Sequence, residues 1–587
     1  MNTLNKDELL SYQQRLDMTA IPLFSSEQVY NLESQWFAAG NDDFALMQQA
    51  AWQAAHWLQY QFDSQIEKSQ RQRKAKLAII WVGAGNNGGD GWLMAHYLTQ
   101  FGWQVQVVAV AAPSSKLTKK AKAVYCQKQD ADTIFSLENL SLENDILAQT
   151  GQAKKADIQD LLYQQCQHLS RAESIIHIDA LFGIGLDRVP AGNYQQAIET
   201  INQMATHLRG TVVAVDIPSG LVASTGQVFE SVAVRADYTL CMLARKVGLH
   251  IKSGRDYAGE VIDIPLIPYT YYYAQQDSQQ TDQVTSDVPC AWLQSAIQPF
   301  NPRQHDSHKG SYGHVLIIGG NYVDGSQGMG GAAILAASAA LAAGVGKLTV
   351  ACHQQFHGAL ITALPNAMSI DLMDTKAVKA ILSQVDVMAI GMGLGRNNAS
   401  EKLFTIYLEA AIAAKKDLLI DADGLYHLAS LAQTKKQSLR KKFMTHIQAH
   451  DVYFTPHSGE AARLLDCEVA EVESDRITAI QQLGKQWGGS WLLKGAGSIV
   501  WSEEECHICA AGNAGMATAG MGDVLSGLAA ALLAQTDLPQ LQRSLLQAVM
   551  VHAIAGDELA SHVGHRGVQA KDMADFISQV MSTSNNF

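Results

Sequence analysis

At 587 residues the chain is too long for one hydrophobic core, so two or more domains are expected. Apolar residues make up 47% and charged residues 17%, the balance of a large water-soluble globular protein, and the formal net charge is −13. The only basic runs are Arg71-Gln72-Arg73-Lys74 and Arg440-Lys441-Lys442, which argues against a nucleic-acid-binding face. The N-terminus, with Lys6, Asp7 and Glu8, lacks the apolar core of a signal peptide. The uncharged stretch Gly325 to Gly346 is built of Ala and Gly and leads into the strand-like Lys347-Leu348-Thr349-Val350. It reads as a tightly packed buried helix rather than a membrane span. Eight scattered cysteines suggest a reducing compartment, and a cytoplasmic location is expected.

Residues 26–69 carry helical apolar spacing through Val29, Leu32, Trp36, Leu46, Ala50 and Ala54. Strand-like runs follow at Leu77–Val82, Val105–Ala111, Ile175–Asp179 and Val212–Asp216, separated by helical segments, and Tyr238–Leu243 extends the series. This alternation predicts a parallel α/β sheet covered on both faces.

Gly83-Ala84-Gly85-Asn86-Asn87-Gly88 matches the dinucleotide-binding G-x-G-x-x-G after the first strand. A hydride-transfer site would also need a carboxylate closing the second strand to hold the ribose. That strand instead ends Ala111-Ala112-Pro113-Ser114-Ser115-Lys116. Two other strand ends do carry carboxylates: Asp179 heads Ala180-Leu181-Phe182-Gly183-Ile184-Gly185-Leu186, and Asp216 heads Ile217-Pro218-Ser219-Gly220-Leu221. Each Asp could cap a following turn. Three Gly-rich loops bearing Asn87, Asp179, Asp216 and Ser219 at strand ends converge on one crevice in an open parallel sheet.

NNGGDG, DALFGIGL and VDIPSG together resemble the N-terminal domain of the bifunctional NAD(P)H-hydrate repair enzymes, the YjeF N-terminal family, over about residues 20–268. The resemblance implies a Rossmann-like three-layer αβα domain that epimerises the C6 hydroxyl of hydrated NADH or NADPH. Carried over, Asn86, Asn87, Gly88, Gly89 and Asp90, with Gly183, Ile184, Gly185, Leu186, Asp187, Arg188 and Val189, contact substrate. Asn87, Asp179 and Ser219 hold a potassium ion, for which hard oxygen ligands are suited. Asp216 contacts substrate and is the candidate acid/base. Ala51 stands where the family usually has Gly in its leading helix.

Around Tyr271 to Asp287 the chain turns polar and Gln-rich, which marks a linker over 271–288 between domains at 1–270 and 289–587. Strand-like runs resume at Val315–Ile318, Leu348–Ala351, Val387–Ile390, Leu418–Ile420, Val452–Phe454 and Trp491–Leu493, with Ala-rich helices between them. Cys506-His507-Ile508-Cys509 has C-x-x-C spacing inside an expected β-hairpin. With no second pair nearby it makes a weak metal or redox candidate.

The most informative stretch is Gly512-Asn513-Ala514-Gly515-Met516-Ala517-Thr518-Ala519-Gly520-Met521-Gly522-Asp523, ahead of the apolar run Val524 to Leu533. Glycines let bare backbone N–H groups approach an anion at a helix start, and Asp523 can take a proton from a hydroxyl beside it. The plainer alternative is Asp523 as an N-cap. Lys309-Gly310-Ser311-Tyr312-Gly313, Gly391-Met392-Gly393-Leu394-Gly395, Asp421-Ala422-Asp423-Gly424-Leu425, Thr455-Pro456-His457-Ser458-Gly459-Glu460 and Lys494-Gly495-Ala496-Gly497-Ser498 accompany it, and there is no Walker loop. A GxGD-like helix start resembles the ribokinase-like kinases. The complete set, with KGSYGHVLIIGG, TPHSGEAARLL, KGAGS and GNAGMATAGMGD, resembles the ADP- or ATP-dependent NAD(P)HX dehydratase domain over about residues 290–580. By that resemblance the domain is a ribokinase-like αβα fold. Ala332, Gly393 and His457 line the hydrated nicotinamide nucleotide. Lys494, Gly495, Ala496, Gly497, Ser498 and Gly522 bind the adenine nucleotide, and Asp523 contacts substrate and acts as base. Asn366, in Leu364-Pro365-Asn366-Ala367-Met368, stands where the family usually carries Glu.

The expectation is therefore an α/β enzyme fusing NAD(P)HX epimerase to nucleotide-dependent dehydratase. It would use K+ in the first domain and ADP (or ATP) with Mg2+ in the second, without nucleic acid or membrane partners and as a homo-oligomer. The alternatives are a ribokinase-like small-molecule kinase with an accessory domain, and a non-enzymatic scaffold, which the joint presence of Asp179, Asp216 and Ser219 disfavours.

Overall fold

The computed structural model describes residues 20–63, 76–127, 133–137, 174–208, 210–268, 289–323, 327–433 and 437–583. Two compact units divide at Cys290/Ala291: Pro22–Cys290 forms one and Ala291–Phe587 the body of the other. The polar stretch 271–288 and the basic run at Arg71–Lys74 lie outside the described residues.

In the first unit, seven strands are described: β1 (Lys76–Val82), β2 (Gln104–Ala109), β3 (Ile134–Ser136), β4 (Ser174–Ala180), β5 (Thr211–Val215), β6 (Tyr238–Met242) and β7 (Glu260–Ile264). They line up as β3-β2-β1-β4-β5-β6-β7, each strand parallel to its neighbours. Side chains alternate along each strand, so one face of the sheet buries Ile80, Val82, Ile178 and Val213 and the other Leu77, Ile79, Trp81 and Val212. Helices cover both faces, and the unit is a three-layer α/β sandwich.

The expected helix over 26–69 is broken into α1 (Ser26–Ala38) and α2 (Asp43–Asp63). Ser25 caps α1 through a capping box, Gly40 takes φ +91, and Asp42 accepts from Ala45 N at 2.7 Å to start α2. β3 and β7, not expected from the sequence, are the two edge strands of the sheet. Helix α3 (Asn86–Gln100) follows β1, α4 (Lys116–Cys126) follows β2, and α5 (Asn193–Leu208) precedes β5.

In the second unit, besides the short antiparallel pair Tyr322–Val323 and Gln327–Gly328, the strands of the main sheet are β8 (Ala291–Gln294), β9 (His314–Ile318), β10 (Lys347–Cys352), β11 (Met368–Asp371), β12 (Val387–Ile390), β13 (Asp417–Ile420), β14 (Val452–Phe454), β15 (Ser490–Leu493), β16 (Ile499–Ser502) and β17 (Glu505–Cys509). Their order is β8-β17-β16-β15-β14-β13-β12-β9-β10-β11. Pairing is parallel from β15 through β11, while β15-β16-β17 form the antiparallel meander expected around the C-x-x-C. Cys506 and Cys509 sit three residues apart on one strand, so their side chains leave on opposite faces. Both thiols are free. Among the described residues no group of three His, Cys, Asp or Glu side chains could hold a metal ion.

The Ala/Gly-rich stretch forms α6 (Gly330–Ala342), packed on α10 (Met521–Ala534). A Cβ on Gly527 would lie 1.9 Å from the Ala336 carbonyl oxygen, so glycine is what lets these two helices touch. No helix among the described residues is long and apolar enough to cross a membrane.

Candidate functional site

Both units place their polar loops beyond the carboxyl ends of parallel strands, where backbone groups are free to face a ligand.

In the first unit, Asn87 sits in the first turn of α3, buried. Its Nδ2 donates to the carbonyls of Phe182 at 2.7 Å and Val215 at 3.1 Å, while its buried Oδ1 has no hydrogen-bond partner. Ser219 donates its Oγ to Asp179 Oδ1 and its backbone N–H to Asp179 Oδ2, both at 2.7 Å. Burial pushes the Asp179 carboxyl up to about 6 against those hydrogen bonds. Asn87, Asp179 and Ser219, expected from three separate loops, are thus brought together by shared contacts with the 179–182 segment.

Asp216 takes φ +70, the left-handed region that Asp tolerates better than most residues. Its Oδ1 contacts Lys246 Nζ and accepts from Met242 N at 3.2 Å. A Cβ on Gly183 would meet Asn87 Cβ at 3.6 Å and Asp216 Oδ2 at 3.7 Å, so the second carboxylate oxygen faces the Gly183 loop. Lys246 is 1% exposed and also donates to the Met242 carbonyl at 2.6 Å. Burial pulls its ammonium down, but Asp216, Cys241 and Glu33 together outweigh this and hold it above the ordinary lysine range. Lys246 went unread in the sequence, although its place just after Tyr238–Leu243, at a strand end, was a usable signal.

Asp90 and Glu33 add carboxylates that interact with this pair by charge. Burial, then the charges of Asp216 and Glu33, push the Asp90 carboxyl well up. Glu33 is raised by burial and then by Asp216, with Lys246 opposing. Several glycines here serve packing rather than anion approach. A Cβ on Gly88 would lie 2.0 Å from the Gly83 carbonyl oxygen, and one on Gly89 would strike Met47, whereas Gly85 faces open space. Asn86 is exposed and accepts from Ser115 Oγ at 2.8 Å. Further along the loop, Ile184, Leu186 and Val189 are part-buried, Gly185 is exposed, and Asp187 and Arg188 stand fully out with their charges 4.0 Å apart.

In the second unit, Asp523 lies in the first turn of α10, but the N-cap is Gly520, at φ +90 and without a side-chain cap bond. The plain N-cap reading of Asp523 therefore falls, and the first N–H groups of α10 keep no side-chain cap. Burial, then Asp421, push the Asp523 carboxyl up to about 7, with Lys494 opposing. Lys494 Nζ donates to Asp421 Oδ1 at 2.9 Å and stands 4.0 Å from Glu460 Oε2. Burial lowers the Lys494 ammonium, and Asp421 and Glu460 more than restore it. A Cβ on Gly522 would lie 3.4 Å from Lys494 Nζ, which joins the GMGD turn to the KGAGS loop.

The KGAGS loop is shaped by Arg476, a residue with no motif signal. Its buried guanidinium donates to the carbonyls of Leu493, Lys494 and Ala496 at 3.0 to 3.1 Å. A Cβ on Gly495 would lie 2.6 Å from that guanidinium. Ser498 Oγ closes the loop onto Gly495, accepting from its N–H at 3.3 Å, and Gly497 takes φ +64. Gly393, at φ +64, leaves room for Met329 and Ala332, whose Cβ would be 3.2 Å from an added Cβ. His457 is the N-cap of α8 (Ser458–Leu465): its Nδ1 accepts from Gly459 N at 3.0 Å, and its Nε2 lies 3.2 Å from Glu460 Oε1.

One expected member stands apart. Gly313, in Lys309–Gly313, packs on the carbonyl of Ala534, the last residue of α10, while Asp523 is in its first turn. A helix of 14 residues spans about 20 Å, so KGSYG braces the far end of the helix. Asn366 is exposed in the turn after the helix His357–Ala363.

Two family profiles match the chain. One, described as YjeF-related protein N-terminus, covers residues 43–248, and the other, described as NAD(P)H-hydrate dehydratase, covers residues 315–579. A bifunctional NAD(P)H-hydrate repair enzyme of Coxiella burnetii is 31% identical over 554 residues, spanning 94% of this chain and 97% of the relative. The chain belongs to the bifunctional NAD(P)H-hydrate repair enzyme family. A member from Escherichia coli K12 is 32% identical over 510 residues, covering 86% of this chain and 85% of its own. Among solved structures, an ADP/ATP-dependent NAD(P)H-hydrate dehydratase of Bacillus subtilis, co-crystallized with ATP/Mg2+, is 23% identical with TM-score 0.40. It covers 49% of this chain and 95% of its own. A ribokinase-like superfamily protein of Enterococcus faecalis V583 is 26% identical with TM-score 0.41, covering 49% and 92%. Each half of this repair-enzyme chain thus carries its own carboxylate–lysine centre at the carboxyl ends of its own sheet.

Proposed function

We infer that the chain repairs hydrated nicotinamide coenzymes at two centres. The first unit interconverts the R and S forms of NAD(P)HX at C6, and the second dehydrates S-NAD(P)HX to NAD(P)H with ADP or ATP. The observation that carries this reading is the pair of self-contained centres, Asp216–Lys246 and Asp523–Asp421–Lys494, in a chain of this family. The kinase alternative accounts for the second centre alone and leaves the first without a task.

In the first centre, Asp216 Oδ2 is the proposed acid/base for the C6 hydroxyl, because Oδ1 is already engaged by Lys246 and Met242 N. The Gly183–Val189 and Asn86–Asp90 segments are the proposed substrate contacts. Asn87, Asp179 and Ser219 are the proposed holders of a potassium ion. The buried, unpartnered Asn87 Oδ1 and an all-oxygen donor set fit a hard monovalent cation. Such an ion would order the loops and supply positive charge beside the substrate.

In the second centre, Asp523 is the proposed acceptor of the C6 hydroxyl proton as that oxygen attacks the terminal phosphorus of ADP or ATP, and a Mg2+ ion bound with the nucleotide would neutralise phosphate charge. The phosphoryl–nucleotide bond breaks and the shortened nucleotide departs. Phosphate then leaves C6 with the C–O bonding pair while the C5 proton passes to the departing phosphate or to solvent water, and the C5–H pair forms the C5–C6 double bond. The uncapped start of α10, Lys494 and the KGAGS amides supply positive potential for the phosphates. Ala332, Gly393 and the His457 turn are proposed to flank the nicotinamide portion. With its described cysteines free, the protein is proposed to work in the cytoplasm, as a homo-oligomer.

The test is chemically hydrated NADPH with ADP or ATP, following the near-ultraviolet absorbance of the dihydronicotinamide and separating the epimers by chromatography. Recovery of absorbance that depends on nucleotide, and accelerated R–S exchange without it, are expected. Phosphorylation of sugar or hydroxymethyl-pyrimidine acceptors in place of dehydration would return the second unit to the kinase reading.

A further inference from the structure

We propose that Asp421 is a positioning residue of the second centre, holding Lys494 and the Asp523-bearing turn of α10 in one register through its two carboxylate oxygens. The inference rests on the dehydratase reading above and names a group that neither the phosphate nor the hydroxyl needs to touch.

Asp421 closes β13 and is 1% exposed. Its Oδ1 accepts from Lys494 Nζ at 2.9 Å, and its Oδ2 accepts from Ser526 Oγ at 2.6 Å, with Ser526 itself fully buried. Ser526 stands three residues after Asp523 on α10, so one carboxylate ties the β15 loop to the catalytic helix turn. The backbone beside it is over-determined. Ala422 takes φ +50, a left-handed conformation costly for a residue with a Cβ, and a Cβ on Gly391 would lie 1.9 Å from the Asp421 carbonyl oxygen. The next aspartate, Asp423, clamps the neighbouring loop through Gly395 N at 2.8 Å and Arg396 Nε at 2.7 Å. A carboxylate with both oxygens engaged is fixed in place, and from there it raises the Asp523 carboxyl as well as setting its geometry.

The other charged groups around Asp523 are Lys494 from the β15 loop, Asp423 with its Arg396 partner, and Glu460 at the start of α8. On α11 (Leu545–Val563), His552 is buried and pushed down to about 4, so it brings no charge at neutral pH. Lys494 lowers the Asp523 carboxyl, and the aspartates raise it.

Asp421→Asn keeps the shape and removes the charge. Its acid limb of dehydratase kcat/KM is expected to move to lower pH by on the order of one unit, with a raised KM for the nucleotide. Ser526→Ala keeps the charge and removes one tie, so the limb stays put while turnover falls about fivefold, the worth of one hydrogen bond. Epimerase activity in the same chain reports folding. A wild-type pH profile and nucleotide KM in folded Asp421→Asn would overturn the proposal, and if that variant fails to fold, wild-type turnover in Ser526→Ala does so. Asp523→Asn is run beside them: undiminished dehydration there defeats the dehydratase reading itself, whatever Asp421→Asn does.

Discussion

Asp523 carries its proton to about 7, so a base in this position loses activity as the medium becomes more acidic than that. Dehydration by the wild type should fall below neutral pH. Asp523→Asn should lower its rate by about 10²–10⁴ while epimerisation persists, measured as absorbance recovery against R–S exchange. In the first unit, Asp216→Asn should do the reverse. Lys246→Met should impair exchange with it, since it strips the part-buried Asp216 carboxylate of its fully buried ion-pair partner. Exchange rates equal to wild type in Lys246→Met would remove Lys246 from that centre. A different residue contributes to acid stability. His177, in the middle of β4, is fully buried, neither ring nitrogen has a partner, and burial pushes it down to about 4 from 6.5. Its contribution to stability is complete above pH 6.5 and is lost as pH falls from there to 4, because only the unfolded chain binds the proton in that window. The loss is on the order of 3 kcal/mol. His177→Phe should reduce the pH dependence of the first unit's melting across that window, leaving the part due to His250, which burial pushes down to about 3.

At the scale of elements, the long apolar strands were legible because alternating burial on both sheet faces demands unbroken Val, Ile and Leu. Val387–Ile390 and Val452–Phe454 fall where periodicity placed them. Short strands such as Ile134–Ser136 and Met368–Asp371 pair at sheet edges and bury little, so they left no mark in the pattern. The Gly-rich motifs hid two different uses of glycine. Gly522 opens space beside Lys494, whereas Gly527 and Gly313 let backbones touch at a helix pair and at the far end of α10. Gly527→Ala should therefore destabilise the second unit by on the order of 3 kcal/mol, read as a fall in its melting temperature. Gly85→Ala, facing open space, should leave melting near wild type.

At the scale of the whole chain, every residue of the first centre lies within Pro22–Cys290 and every residue of the second within Ala291–Phe587. Each of these named residues belongs to one unit, so mixing Asp216→Asn with Asp523→Asn protein should restore conversion of the R hydrate to NADPH in trans. Composition, strand periodicity and the spacing of NNGGDG, VDIPSG and GMGD determined the α/β class, the two-unit organisation and the loops that bear the chemistry. These are local properties, written in consecutive residues. Which carboxylate oxygen is free, that Lys246 and Arg476 take part, that Asp421 bridges Lys494 to α10, and that KGSYG sits away from Asp523 were decided only by tertiary structure. Each of these depends on the order in which strands lie side by side, and that order brings together residues the sequence keeps far apart.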